Sequence, residues 1–457
     1  MKYRTERDTM GEVSVPVDAL YGAQTQRAVD NFTIAARTMP PLFIRCLARI
    51  KSAAAVANAA RGGLPADIAD ALVLVAARVA GGDHADQFPV GVFQTGSGTS
   101  TNMNMNEVLA RLASQAGGVE VHPNDHANRS QSSNDVIPCC IQVSAAVALQ
   151  QQLRPALARL SGVLRRRAGE LADTVKTGRT HLMDAMPVTF GQELESVAFQ
   201  LAECGQRLDD LQPRLRALPI GGSAVGTGVN VPAGFADAFA VELSRMLAMH
   251  FTVCPNPSSR MAAQEVAVEC SACARSLAHI LTKLNNDLRW MASGPLAGLA
   301  EIRLEALQPG SSIMPGKVNP VLPEAALMAA AEVVGNDATI ALAARSGNFQ
   351  LNVMLPLVAD KLLGSIELLA GACDTTARAV AGFTVDHAQV GQVLARNPVL
   401  VTALNPQIGY EAAAAIAKRA YAERRPVIDV AMEDTGMSRP ELEQLLDPAR
   451  LAGLAEK

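Results

Sequence analysis

The stretch that decides the fold is residues 266–288, with the sequence VAVECSACARSLAHILTKLNNDL. Its apolar side chains recur at alternating spacings of three and four, which is the period of one face of an α-helix packed lengthwise on another. The stripe is longer than an average helix of about 11–12 residues. It therefore predicts a long helix inside a bundle. The stripe comprises Val266, Cys270, Cys273, Leu277, Ile280, Leu284 and Leu288.

Three further stretches, near residues 149–164, 194–218 and 362–373, repeat this pattern and predict further long helices. Pro155 and Pro213 lie inside two of them and should bend or interrupt the helix, because proline has no backbone N–H to donate. Together the stripes predict a mainly α fold with a central bundle of long antiparallel helices. We expect part of their length to be buried against other subunits.

The chain on either side of this bundle has a different character. Glycine pairs punctuate short helical patterns before it, and Asn-Pro pairs do so after it. Ser438, with Glu441 three residues later, resembles a capping box and predicts a helix start. We therefore predict three domains: a mixed helical N-terminal domain at residues 1–131, the long-helix bundle at 132–388 and a small helical domain at 389–457.

The composition of the 457-residue chain disfavours several classes of protein. Hydrophobic residues make up 49% and aromatic residues 4%, which argues against a disordered chain and against an all-β sandwich. The 40 Lys and Arg against 44 Asp and Glu leave a net charge of −4, so nothing favours binding to nucleic acid or to an anionic membrane. No charge-free apolar stretch reaches about 18 residues, and the polar N-terminus does not resemble a secretory signal. We expect a cytoplasmic protein.

The 8 cysteines are dispersed along the chain, which argues against a disulfide framework. Cys270 and Cys273 have the spacing of half a zinc or redox site. Both lie on the apolar stripe, however, and neither a second cysteine pair nor a histidine pair follows. Burial in a helix is therefore the favoured interpretation. We expect no metal and no cofactor.

Four segments break the helical pattern and are dense in Gly, Ser, Thr, Asn and His. The first, QTGSGTSTNMNMN at residues 94–106, is either a glycine-rich turn or an anion site formed by backbone N–H groups that lead into a helix. It is not a P-loop, since no Gly-Lys-Ser/Thr follows. The second comprises HPND at 122–125 and NRSQSSND at 128–135. It is either a solvated loop with a helix cap or a site for a small carboxylate.

The third and fourth segments hold the groups suited to proton transfer. TGRTHLMDAMP at residues 177–187 places His181 among polar groups, where it is either structural or, if a carboxylate orients it, an acid–base group. PGSSIMPGKVNP at residues 309–320 combines flexible glycines with paired serines and Lys317. This combination is typical of a mobile active-site loop, with a serine for proton transfer and the lysine for charge.

In this order, the four segments resemble the motifs of the fumarase/aspartase superfamily, and those of class II fumarases in particular. GSSIMPGKVNP at residues 310–320 resembles the superfamily signature, and the similarity extends over nearly the whole chain. Fumarases resemble this sequence at His181 and at residues 315–317, where aspartases differ. Other matching segments are YGAQTQR at 21–27, GGSAVGTG at 221–228, LNV at 351–353 and VTALN at 401–405.

The resemblance implies a homotetramer of three-domain, mostly helical subunits, with active sites built from three subunits. It implies the reversible, metal-free trans hydration of fumarate to L-malate, a step of the tricarboxylic acid cycle. It also implies a serine base on a mobile loop and a doubly charged aci-carboxylate intermediate that must be stabilised.

Individual roles are implied by the same resemblance. Ser311 is expected to be the base, with its pKa lowered by loop N–H groups and Lys317. His181, oriented by Glu324, is expected to handle the hydroxyl group or water at C2. Lys317 and Asn319 are expected to hold the carboxylate charge that develops. Substrate-binding residues are expected to be Ser97, Gly98, Thr99, Ser132, Ser133, Asn134, Thr180, Ser312, Lys317, Val318 and Asn319.

A second, non-catalytic dicarboxylate site is implied at His122, Pro123, Asn124 and Asp125. In the family an arginine precedes this segment, whereas here VEV at residues 119–121 stands in that place. Binding at this site is therefore in question.

Two other functions stay open on sequence alone. An aspartase-like ammonia-lyase is the first, because residues 320–324 and 350–354 resemble aspartase segments. The second is a catalytically silent helical scaffold. The presence of Ser311, Lys317, Asn319, His181 and Glu324 argues against the scaffold.

Overall fold

The computed structural model describes residues 2–454, so the outer ends of the first and last predicted domains, at residues 1 and 455–457, lie outside it. The chain is mainly helical, as predicted. The helices are α1 (Ala23–Asn31), α2 (Pro41–Ala60), α3 (Ala66–Gly81), α4 (Thr99–Gly117), α5 (Ser133–Ala148), α6 (Arg154–Glu170), α7 (Phe190–Leu215), α8 (Phe235–Leu247), α9 (Pro257–Ala262), α10 (Glu265–Met291), α11 (Val321–Ala344), α12 (Leu355–Gly382), α13 (His387–Ala395), α14 (Asn405–Ile408), α15 (Tyr410–Glu423), α16 (Val427–Thr435), α17 (Arg439–Leu445) and α18 (Pro448–Leu451).

The predicted apolar stripes coincide with long helices. Helices α7, α10 and α12 contain 26, 27 and 28 residues. A π-helical turn, Leu149–Leu153, separates α5 from α6 immediately before Pro155. The predicted interruption at this proline is thus confirmed, since the wider turn accommodates a residue that cannot donate a backbone hydrogen bond. Pro213 lies in the last turn of α7, which ends two residues later.

Short two-stranded sheets complete the secondary structure, and the apolar pattern of the sequence did not predict them. The hairpins β1–β2, β3–β4 and β8–β9 are antiparallel, as is the pair β7–β10, whereas β5 and β6 are parallel. The strands are β1 (Tyr3–Asp8), β2 (Gly11–Pro16), β3 (Val175–Thr180), β4 (Met183–Thr189), β5 (Ala217–Leu218), β6 (Thr252–Val253), β7 (Ile302–Arg303), β8 (Gly347–Asn348), β9 (Leu351–Asn352) and β10 (Thr384–Val385).

Contacts divide the chain into two compact units. Unit 1 comprises Met1–Pro155, Gly205–Ala278 and Ala330–Ala370, and unit 2 comprises Ala156–Cys204, His279–Ala329 and Gly371–Lys457. Each internal boundary falls inside a helix, as expected for helices much longer than one compact region. The division into three domains stays a prediction.

Unit 1 is organised around α2, which packs against α3, α5 and α8. This helix is rich in alanine and is buried on nearly all sides, because small side chains let neighbouring helices approach closely. In unit 2, helices α15 to α17 enclose a small apolar cluster that includes Leu404, Ile416, Val430 and Leu442. Helix α17 begins after Ser438 as predicted, but the predicted side-chain cap is wrong. Pro440, at the second helical position, lacks one of the two N–H groups that such a cap uses.

Two helical segments are long and apolar enough to cross a membrane by length and composition alone. The apolar window of Ser133–Glu170 is 83% buried, which is typical of a core helix in a globular protein. The window of Val321–Ala344, which is α11, is only 33% buried in the single chain. This helix therefore presents a large apolar surface that the rest of the chain does not cover.

Candidate active site

In unit 1, helices α4 and α5 begin beside one another, and the expected carboxylate-binding residues lie at these two N-termini. Gly98 precedes α4 with a φ of +72°, and a Cβ atom there would lie 2.9 Å from Cγ2 of Ile137 in α5. Ser97 Oγ and Thr99 Oγ1 are 2.8 Å apart. Free N–H groups and the helix dipole make an N-terminus favourable for anions, so two of them together suit a carboxylate.

The start of α5 is fixed by a complete capping box. Ser132 Oγ accepts a hydrogen bond from the backbone N–H of Asn134, and the Asp135 carboxylate accepts one from the N–H of Ser132. Asn134 Nδ2 donates to the carbonyl oxygen of Ala224 at 2.8 Å. The predicted helix cap is thus confirmed, and the same contacts hold the predicted binding residues in place, while their carboxylate binding stays a prediction.

Asp135 is a buried carboxylate that the sequence analysis did not single out. It also accepts hydrogen bonds from the backbone N–H groups of Gly221 and Ser223, at 3.1 and 2.8 Å. Burial raises the pKa of Asp135 to about 6, although these N–H donors act in the opposite direction. The side chain joins the start of α5 to the segment at residues 221–223, which carries one of the family-like motifs.

In unit 2, Thr180 and His181 lie at the tip of the β3–β4 hairpin. His181 and Leu182 form its two-residue turn and have φ values of 56° and 61°. Such a turn requires left-handed conformations at both positions and favours Asn-Gly, and a leucine adopts this conformation rarely. His181 is exposed in the single chain. Backbone strain of this kind is typical of functional sites.

A buried network of charges supports this hairpin. The Glu301 carboxylate lies 2.9 Å from Lys176 Nζ and accepts a hydrogen bond from Arg179 at 2.7 Å. Lys176 also pairs with Glu193 at 3.1 Å. Since Lys176 and Glu301 are each only 2% exposed, loss of either partner would leave a buried charge unpaired.

The loop at residues 309–320 lies in unit 2 and is closed at its base. The N–H of Gly310 donates to the carbonyl oxygen of Lys317 at 2.8 Å, and Asn319 Nδ2 donates to the carbonyl oxygen of Gly310 at 2.7 Å. Inside the loop, Ser311 Oγ accepts hydrogen bonds from the N–H groups of Ile313 and Met314, at 3.2 and 3.1 Å. N–H donors of this kind favour the deprotonated form of an oxygen. Ser312, Lys317 and Val318 are exposed.

The single chain does not join all the predicted residues. Glu324 lies in the first turn of α11. Across residues 2–454 no hydrogen bond or ion pair connects it to His181, which is exposed. The residues expected to bind carboxylates, at 97–99 and 132–134, belong to unit 1, whereas Thr180, His181, Glu324 and the loop belong to unit 2.

The predicted second site lies at a π-helical turn, Pro123–Ala127. His122 Nδ1 lies 3.1 Å from an Asp125 oxygen and accepts the N–H of Asp125 at 3.2 Å. The adjacent cleft in unit 1 is lined by more acidic than basic side chains, which disfavours a dianion. The charged lining residues are Glu6, Arg7, Asp8, Glu107, Arg111 and Glu120.

The cysteines agree with the interpretation as buried thiols. Cys270 is fully buried in α10, and burial raises the pKa of its thiol far above the ordinary value. Cys273 is partly buried. Within residues 2–454, no cluster of three or more His, Cys, Asp or Glu side chains is arranged to hold a metal ion.

Comparisons with known proteins agree with the mainly helical fold. A family model described as a lyase matches residues 11–335, and a model of the fumarase C C-terminus matches residues 400–453. These matches define the protein as a lyase. The chain is similar to fumarate hydratase class II 2 of Pseudomonas aeruginosa, with 54% identity over 98% of each chain. Fumarate hydratase class II of Mycobacterium tuberculosis is 48% identical over 98% of this chain and 96% of the relative.

Solved structures give the same result. The crystal structure of recombinant class II fumarase from Schistosoma mansoni superimposes with a TM-score of 0.96 and 34% identity, over 99% of each chain. The chain belongs to the class II fumarate hydratase family. The predicted family, mainly α fold and lyase class are confirmed, and the comparisons favour the hydratase over the ammonia-lyase and the silent scaffold.

Proposed function

We propose that the protein catalyses the reversible trans hydration of fumarate to L-malate, as the names of its relatives suggest. The observation that carries the proposal is the pair of backbone N–H groups bonded to Ser311 Oγ. A serine is a weak base at its ordinary pKa. Two N–H donors favour its alkoxide, which is the form able to accept the weakly acidic C3 proton of malate.

The other groups supply charge stabilisation and proton transfer at C2. After the C3 proton moves to Ser311, Lys317 and Asn319 stabilise the aci-carboxylate. Breakage of the C2–O bond then forms the double bond, and His181, oriented by Glu324, delivers a proton to the departing oxygen. Hydration follows the same steps in reverse. These groups provide both functions without a metal ion, so a chelator should leave kcat unchanged.

The substrate carboxylates fit the paired helix N-termini of unit 1. Thr99, Ser132, Ser133 and Asn134 offer hydroxyl, amide and backbone donors there, with Ser97 and Gly98 shaping the turn. We also propose that Thr180, Ser312 and Val318 bind the substrate. The acidic cleft beside His122 does not favour a second dicarboxylate, so we propose that this site is silent in the present chain.

We also propose a homotetramer with active sites shared between subunits. Helix α11 supports it, since Met328 is 69% exposed and Leu342 is 64% exposed on a helix of high mean hydropathy. Large exposed apolar surfaces mark protein interfaces. Sharing would also bring Glu324 of one subunit to His181 of another. We also propose that the enzyme works in the cytoplasm and that its reaction is a step of the tricarboxylic acid cycle.

Activity is tested by the ultraviolet absorbance of fumarate after L-malate is added, with L-aspartate and argininosuccinate as alternative substrates. Ser311→Ala should lower kcat by about 10²–10⁴-fold, the usual effect of an acid–base group. Ser438→Ala is the matched control, because its exposed hydroxyl makes no cap bond. Wild-type turnover by Ser311→Ala, or ammonia release from L-aspartate, would contradict the proposal.

Site sharing has a separate test. Ser311→Ala and Ser133→Ala subunits, each expected to have little activity by itself, are unfolded together, refolded together and assayed. If unit 1 of one subunit works with unit 2 of another, mixed tetramers should regain activity at sites that lack both changes. Mixed tetramers with no more activity than either parent would refute shared sites.

A further inference from the structure

Lys51 is a buried lysine that has no part in the proposed mechanism. It lies in α2 and is only 3% exposed. Its Nζ donates to Asn128 Oδ1 and to Gln131 Oε1, both at 3.0 Å. Across residues 2–454 no carboxylate forms an ion pair with it. Burying a lysine without a direct counter-ion is costly.

The contacts of Lys51 converge on the turn before α5. Asn128 Oδ1 also accepts from Asn102 Nδ2 and Asn106 Nδ2 of α4, at 3.1 and 3.2 Å. Asn128 Nδ2 in turn donates to the carbonyl oxygen of Gln131 at 3.2 Å. Lys51 thus links α2 and α4 to the turn at residues 128–131.

This turn leads directly into the expected carboxylate site. Ser132 is the next residue and caps α5. Asn102 Nδ2 contacts both Asn128 and Ser133 Oγ, the latter at 3.0 Å. A shift of the turn would therefore move the donors that face the substrate.

Burial also acts on the protonation of Lys51. It lowers the pKa of Lys51 to about 7, while Asp135 and Cys140 act to raise it. Either protonation state of the amine can donate hydrogen bonds to Asn128 and Gln131.

We propose that Lys51 is a positioning residue, which holds the turn at residues 128–131 so that the N-terminus of α5 can bind a substrate carboxylate. This inference rests on the proposed function, because it assigns a dicarboxylate to that site. It predicts a defect in binding rather than in the chemical step.

The test is Lys51→Met in the full-length protein, which keeps the length of the buried stem and removes the amino group. KM for fumarate and Kd for succinate, an unreactive dicarboxylate measured by calorimetry, should each rise about 10- to 100-fold, within the range expected for the loss of two hydrogen bonds. The value of kcat should stay near that of the wild type. Lys361→Met is the matched control, since Lys361 is a part-buried lysine of the same unit that pairs with Glu332 instead.

The outcomes separate this inference from the proposed function. Absence of hydratase activity in the wild type would refute the function, and the Kd for succinate would still test Lys51. A folded Lys51→Met protein with wild-type KM and Kd would overturn the role of Lys51. If Lys51→Met does not fold, Gln131→Met removes one of its two acceptors; it should raise KM and Kd in the same direction, and unchanged values would overturn the inference.

Discussion

Gly310→Ala should disable the catalytic loop without unfolding the protein. A Cβ atom at residue 310 would lie 2.5 Å from the carbonyl oxygen of Lys317 and 3.0 Å from the N of Asn319. Both are backbone atoms, so no side-chain rotation relieves the clash. The base of the loop must open by about 1 Å to restore an ordinary van der Waals distance.

The magnitude follows from the bonds that close the loop. Opening weakens the hydrogen bond from Gly310 to Lys317 and the one from Asn319 to Gly310. Each contributes about 0.5–1.5 kcal/mol, so the closed loop loses about 1–3 kcal/mol. The population of the closed loop should therefore fall about 5- to 150-fold, and kcat/KM should fall with it.

The assay compares kcat/KM for L-malate, Tm and the mass of the oligomer in wild type and variant. Gly162→Ala is the control, because Gly162 is an exposed helical glycine of the same unit with nothing within 4 Å of its added Cβ. That variant should be active and more stable by about 0.5–1 kcal/mol. Wild-type kcat/KM in Gly310→Ala would refute the proposed role of loop closure, as would a loss of activity explained by a dissociated tetramer.

Three further predictions concern charge, sterics and thiol chemistry. Burial lowers the pKa of Lys51 from the usual 10.5 to about 7. Between these two pH values the folded protein therefore binds fewer protons than the unfolded chain. Its free energy of unfolding should rise with pH over this range, by up to about 1.4 kcal/mol per pH unit. Urea unfolding at pH 7.5 and 9.5 should show this rise in wild type but not in Lys51→Met, and parallel behaviour would count against it. Gly98→Ala should raise KM, because φ is +72° there and the added Cβ would lie 2.9 Å from Ile137. The left-handed strain alone amounts to roughly 1–2 kcal/mol. Gly118→Ala, at the other end of α4, is the control: φ is +64° but the Cβ meets open space, so KM should be unchanged. Cys270 should react with N-ethylmaleimide only in urea, because burial raises the pKa of its thiol, and mass spectrometry showing equal labelling of the native protein would contradict this.

The long helices could be predicted because their signal repeats many times. A stripe such as residues 266–288 averages over several turns, so one cysteine or alanine does not obscure the period. The β3–β4 hairpin was not predicted, because it is short and its turn is His-Leu rather than Asn-Gly. The polar character of this segment still marked it as a candidate site.

Single residues were predicted less well when their environment is made by distant parts of the chain. Ser438 has the local pattern of a cap, yet Pro440 removes an N–H donor that it would need. Lys51 stands among alanines in the sequence, where it resembles an ordinary surface lysine between apolar residues. Only the fold shows that its Nζ reaches residues 128 and 131, some 80 positions further along the chain.

The start of α5 shows why such a lysine is needed there. The capping box requires a carboxylate at residue 135, and the same group holds residues 221–223 through two more N–H donors. A negative side chain is thereby fixed, for structural reasons, close to where a dianion is expected to bind. A second carboxylate placed there to hold the turn would add to this repulsion. Lys51 holds the turn before α5 through two side-chain amide oxygens instead, each 3.0 Å from its Nζ, and so adds no negative charge beside the ligand.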